Sequence, residues 1–158
     1  MGQRPTERAG RGRLPEGAQL VGWRRWHLAA NHRPMLPFED RRLMTAPAVR
    51  VFRGISRAWE MSFREELGVV GLPRPVWSSC ARDRAPVLPA EALMRIVLVA
   101  RVFEAVNVLF PPERADAWMR SPNSARIFGG QSALDLMVGE GRTGIRAVRM
   151  YLLGEIYG

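Results

Sequence analysis

The sequence has no lysine, one cysteine, two histidines and two tyrosines, and its longest apolar run is interrupted by charge. Each scarcity removes a class of protein. Cys80 alone cannot form an internal disulfide and fits a reducing compartment; with only His27 and His32 beside it, no zinc site can be assembled. No metal or cofactor is expected. The run from Leu93 to Phe110 carries Arg95, Arg101 and Glu104, which a membrane span would not accept. The N-terminus has arginines but lacks the apolar stretch and small-residue cleavage site of a secretory signal, so a cytoplasmic protein is expected. Catalytic groups are equally thin. Gly129-Gly130 is not followed by the lysine of a phosphate loop. Glu65 and Glu66 are neighbours on a predicted helix and point different ways. Cys80 has no base near it in sequence and is expected to be a buried, inert thiol. The chain is not read as an enzyme.

What it does have is arginine. All 24 basic residues are arginine, set against 15 acidic residues for a formal net charge of +9 in 158 residues. Planar guanidinium donors suit phosphate and carboxylate partners, and an excess of them invites an anionic partner. Hydrophobic residues make up 47% of the chain, enough for one core.

Residues 1–44 hold nine arginines against Glu7, Glu16, Glu39 and Asp40, with Trp23 to Leu28 as the only dense apolar cluster. This reads as a basic, disordered arm. From Pro47 a helical pattern sets in, with Val49, Phe52, Ile55 and Trp59 three or four apart. Ser62 and Glu65 form a capping box that predicts a second helix from Phe63 to about Val70, ended by Gly71. A third short helix is expected over Arg74 to Arg82. Residues 45–88 thus form a helix-turn-helix-like unit in which Arg74, Trp77, Ser78, Ser79 and Arg82 occupy the position that would contact DNA. The same pattern suits a plain helical bundle in which Trp77 is a core aromatic.

Pro89 starts a central helix that runs to Phe110 with apolar residues on more than one face, which suits a monomer core or a homo-oligomer interface equally. Pro111 and Pro112 stop it, and Pro112 starts the next helix, ending near Met119. Then come the most restrictive backbone instructions in the chain. Pro122 pushes Ser121 out of the helical region, Asn123 favours a turn, and Gly129 or Gly130 can take positive φ. Trp118 and Phe128 are expected to anchor this loop. Ser132 caps a helix that Gly139 and Gly141 close, and a last helix follows with Ile145, Val148, Leu152 and Ile156 on one face and Arg142, Arg146 and Arg149 on another. The overall expectation is all-α.

The run Trp118-Met119-Arg120-Ser121-Pro122-Asn123, then Phe128-Gly129-Gly130-Gln131-Ser132-Ala133-Leu134-Asp135-Leu136, then Gly141 and the closing helix through Tyr151, resembles the toxin-binding domain of the Xre/MbcA/ParS antitoxins. Residues 89–158 carry the likeness, and 45–88 are similar to the Xre-like half of ParS-type members. Ala133 departs from the proline usual there; a helix starts equally well on either. The resemblance implies a type II antitoxin whose partner is a RES-domain, NAD-consuming toxin, an ADP-ribosyltransferase or NAD phosphorylase, held as a hetero-oligomer and inhibited by a C-terminal helix over its cleft. It nominates Arg142, Arg146, Arg149, Tyr151, Glu155, Tyr157 and Gly158 as toxin-binding, with autorepression through operator DNA as a second activity. Removal of Arg149 to Gly158 is expected to leave a folded protein unable to neutralise its toxin.

Overall fold

The computed structural model of the protein describes residues 37–80 and 86–158. Among the described residues seven α-helices account for the regular structure: α1 (Phe38–Ala58), α2 (Phe63–Val70), α3 (Arg74–Cys80), α4 (Ala90–Leu109), α5 (Pro112–Arg120), α6 (Ala133–Glu140) and α7 (Arg142–Tyr157). The protein is all-α, as its periodicity indicates. Among the described residues no helix is long and apolar enough to cross a membrane.

Helix α4 is the axis of the molecule. Leu93, Ile96, Val99, Ala100, Val102 and Val106 are each fully buried, because α1 covers one side of the helix and α7 another. The breadth of its apolar surface is therefore satisfied inside one chain. Helix α6 fills the corner between α2, α5 and α7. The N-terminal and C-terminal halves share α4 as a common core.

The first helix begins earlier than its pattern suggests. Pro47 lies inside α1, and residues 38–44, assigned to the basic arm from sequence, are helical. The cause is a long-range stitch. Thr45 Oγ1 accepts from the Leu88 amide at 3.0 Å and donates to Arg41 O at 2.7 Å, while Arg41 donates to Leu88 O at 3.3 Å. Glu39 and Asp40 sit in the first turn at the positive end of the helix. Together these contacts outweigh the hydrogen bond that a helix-interior proline forfeits. The remainder of the arm, including Trp23, Trp26, His27 and His32, lies outside the described residues.

The turn between α1 and α2 is closed from a distance. Arg120, at the end of α5, donates from Nε to Trp59 O at 2.6 Å, from a terminal nitrogen to Glu60 O, and from both terminal nitrogens to the Glu65 carboxylate at 3.2 and 3.0 Å. It thereby takes up two carbonyls that a helix C-terminus leaves unpaired. It also pins Glu60, a non-glycine residue at φ 52°. The hydrogen bonds from Arg120, with further ones within the Ser62 capping box, hold the Glu65 carboxyl below its ordinary value against a smaller opposing effect of burial. A depressed folded-state value means that the stabilisation is complete above the unfolded-state value and is lost as pH falls through the lower one. Thermal melts at neutral pH and near pH ~3 should show a smaller gap for Arg120→Gln than for the parent. An unchanged gap would remove Glu65 from the acid sensitivity of the fold.

Candidate functional site

Pro122 and Ser132 form an isolated antiparallel bridge that pinches the loop between α5 and α6. Ser121 is extended, as a residue before proline should be. The Asn123 amide donates to Gln131 O and the Gly130 amide to Asn123 O, each at 3.2 Å, while Asn123 Oδ1 accepts from the Ala125 amide at 2.9 Å. Gly129 and Gly130 take φ of 58° and 88°, which lets the chain turn back within the pinch. Ser132 then opens α6 with a capping box completed by Asp135.

Inside the loop four aromatic rings pack together. Trp118 stacks on Phe110 at 6.1 Å and on Tyr151 at 6.3 Å; Phe128 stands edge-on to Trp118 at 5.9 Å and to Tyr151 at 5.0 Å. Phe128 is fully buried. Burial pushes the Tyr151 phenol above its ordinary value, the Glu155 carboxylate adds to the rise, and the Asn123 side chain opposes it. The loop is thus tied directly to α7.

Two glycines set the angle of α7. Gly141 has φ 57° and ψ −131°, a conformation open to glycine, and a Cβ there would meet the Arg95 guanidinium at 2.8 Å. Gly144 is buried against α6, where a Cβ would collide with Leu136 O. Ile145, Val148 and Leu152 then enter the core together.

The nominated toxin-binding residues divide accordingly. Arg142 pairs with Glu91 at 3.0 Å, and Arg95 shares that carboxylate at 3.3 Å, so Arg142 ties α7 to α4. Tyr151 belongs to the aromatic cluster. Each has a role within the fold: both residue types suit a partner, and both have one inside the chain. Glu155 is exposed, Arg149 is half-buried, and Gly158 is exposed with its amide on Gly154 O at 2.7 Å. Arg146 and Tyr157 face outward, Tyr157 at 84% exposure. The stripe that they bound contains Met150, 63% exposed, and Gly154, where a Cβ would meet nothing. These four residues fall within about 80° of the α7 circumference. Sequence reasoning passed over Met150, although its spacing of four from Arg146 and seven from Tyr157 was the available signal. Deletion from Arg149 onward would also remove Tyr151 and the fully buried Leu152, so the truncation would damage the core that it was meant to spare.

Of the nominated DNA-contacting residues, Trp77 is withdrawn into the core. Trp77 is fully buried, packs edge-on against Phe52 at 5.3 Å and donates from Nε1 to Glu66 at 2.7 Å. Glu66 also accepts from Ser56 at 2.6 Å, so its carboxylate joins α1 to α3. Trp77 is a core residue. Ser79 spends its hydroxyl on Pro75 O at 2.9 Å, Ser78 is half-buried, and Arg74 lies over the Phe63 ring at 5.0 Å. Arg82 lies outside the described residues. Cys80 is buried, and loss of solvent raises its thiol above the ordinary value, with Arg53 pulling the other way.

A pinched loop, an aromatic anchor and a glycine-set terminal helix with an exposed apolar and basic stripe define a scaffold for binding a protein partner. Residues 101–158 match the antitoxin Xre/MbcA/ParS C-terminal toxin-binding domain, a span from the middle of α4 to the end of α7. The chain belongs to the Xre/MbcA/ParS antitoxin family. It is also 32% identical over 117 residues to an uncharacterized protein, y4oB, of Sinorhizobium fredii (strain NBRC 101917 / NGR234), covering 73% of this chain and 88% of that one. That relative extends the likeness well upstream of the toxin-binding domain.

Proposed function

We propose that the protein is the antitoxin of a type II pair and neutralises a RES-domain, NAD-consuming toxin by laying α7 over the toxin's nucleotide cleft. The observation that carries this is the exposed Arg146–Met150–Gly154–Tyr157 stripe inside the family's toxin-binding domain. Tyrosine and arginine are among the side chains that supply most interface energy, methionine is enriched beside them, and a folded helix presents all three without a backbone ordering cost. The neighbouring Arg149 gives the same helix a basic flank, which complements a cleft built to hold phosphates and edged by carboxylates. The buried Ile145, Val148 and Leu152 keep the stripe in register. Co-expression with a RES-type reading frame from the same locus tests the reading. Growth and the cellular NAD pool should be restored and the two chains should co-purify; continued NAD loss with no complex would refute it.

Autorepression through operator DNA is a secondary activity in this reading. Its support is the arginine excess of the N-terminal half; Trp77 is withheld from contact by its burial.

A further inference from the structure

We propose that Arg95 of α4, upstream of the matched span of residues 101–158, is the positioning residue that aims α7 at its partner. Two helices end on its guanidinium. Helix α2 closes at Gly71 with φ 69° and α6 at Gly141 with φ 57°, and a Cβ on these glycines would lie 2.5 and 2.8 Å from one terminal nitrogen of Arg95. The same nitrogen is 3.5 Å from Val69 O in the last turn of α2. Gly68 lets the two helices meet there, since a Cβ on it would stand 2.7 Å from a Val138 methyl of α6.

Electrostatics gives the reason for an arginine at this point. Neither α2 nor α6 has a basic residue in its last turn, and α6 ends on Glu140, so two negative helix ends and a carboxylate converge without a cation of their own. Arg95 supplies one from α4. Its Nε also donates to Glu91 Oε1 at 3.3 Å, and the other oxygen of Glu91 accepts from Arg142 at 3.0 Å. One side chain therefore touches the end of α2, the joint before α7 and, through Glu91, the first turn of α7.

That joint is Gly141 alone, so its torsions fix the angle between α6 and α7. The buried Ile145, Val148 and Leu152 hold α7 against the core, but apolar burial is non-directional, and the polar joint supplies the direction. Leverage makes the angle matter. Tyr157 lies about 24 Å along the axis from Gly141, so a tilt of ~10° carries its ring about 4 Å, as far as a whole side-chain contact. The consequence for binding rests on the toxin reading; the cause lies in the chain's own geometry.

Two measurements on the full chain test the two parts separately. Spin labels at Arg57→Cys and Gly154→Cys, both exposed positions, in a Cys80→Ser background report the distance between α1 and α7 with no partner present. Arg95→Met should shift or broaden that distance by about 3 Å. Arg95→Lys, which keeps the charge and loses the flat fork, should move it less. In a toxin titration at a temperature where every variant is folded, Arg95→Met should weaken inhibition roughly 10-fold, and the loss should shrink to about twofold in a Tyr157→Ala background. A residue that only stabilises the fold gives losses that add. An unchanged label distance in Arg95→Met overturns the proposal whether or not a toxin binds, and additive losses in the cycle overturn it as well. A shifted distance in a chain that binds no toxin supports the aiming of α7 by Arg95 and refutes the toxin reading instead.

Discussion

Trp118→Ala is expected to destabilise the protein by roughly 3 kcal/mol, the lower end of the range for truncating a large core aromatic. The lower end applies because Trp118 is half-buried. The indole is nevertheless the centre of its cluster: Phe110 stacks against it, Tyr151 is nearly parallel to it at 12°, and Phe128 meets it edge-on. Truncation strips three rings of a partner at once and leaves a cavity between α4, α5 and α7. Because Tyr151 loses the surface that fixes its ring, the outward stripe of α7 should loosen too, and toxin affinity should fall with stability. Trp118→Phe keeps an aromatic contact and should recover much of both. Denaturant unfolding followed by circular dichroism measures the first quantity. A loss below about 1 kcal/mol, comparable to an ordinary surface change, would show that the loop is held by its backbone pinch instead.

Where a structural device is local, it could be read directly. The Ser62–Glu65 box opens α2 at Phe63, Pro111 and Pro112 separate α4 from α5, and both Gly129 and Gly130 take the positive φ that the turn needed. Glu65 and Glu66 do point different ways, one to Arg120 and the other to Ser56 and Trp77. Long-range devices left no such trace. Nothing near Arg120 in sequence indicates that it caps a helix some 60 residues upstream, and nothing near Thr45 indicates that Leu88 will hold it. The start of α1 was misplaced for that reason: Pro47 fits a first helical turn, and the contacts that carry the helix past it come from beyond α3. The candidate site was legible as a helix and only partly legible as a surface. Arg142 and Tyr151 were nominated by residue type, whereas burial depends on what the opposing elements bring, here Glu91 from α4 and Trp118 from α5. The helical wheel alone does place Tyr151 about 60° from the buried Val148 and Met150 about 40° from the exposed Arg146.

Met150→Glu combined with Tyr157→Glu is expected to abolish toxin neutralisation and to leave the fold intact. Both side chains are mostly in solvent, at 63% and 84% exposure, and neither packs against the buried core. Carboxylates at these positions should therefore shift the melting temperature by no more than a degree or two, as surface changes within about 0.5 kcal/mol do. Binding should respond very differently. A tyrosine at the centre of an interface commonly contributes 2 kcal/mol or more, and two desolvated negative charges against an acidic rim add repulsion, so a loss of roughly 100- to 1,000-fold follows. The reverse pair, Arg142→Gln and Tyr151→Phe, removes polar groups already satisfied within the chain and should cost stability before it costs affinity. That contrast separates surface from scaffold, which the longer C-terminal truncation cannot do because it deletes Leu152. Titration of the purified toxin, read as residual NAD consumption, measures the affinity of each variant. If the double glutamate variant inhibits as well as the parent, the outward face of α7 is not the docking surface. The exposed Ile127 and Arg126 on the pinched loop would then be the residues to change next.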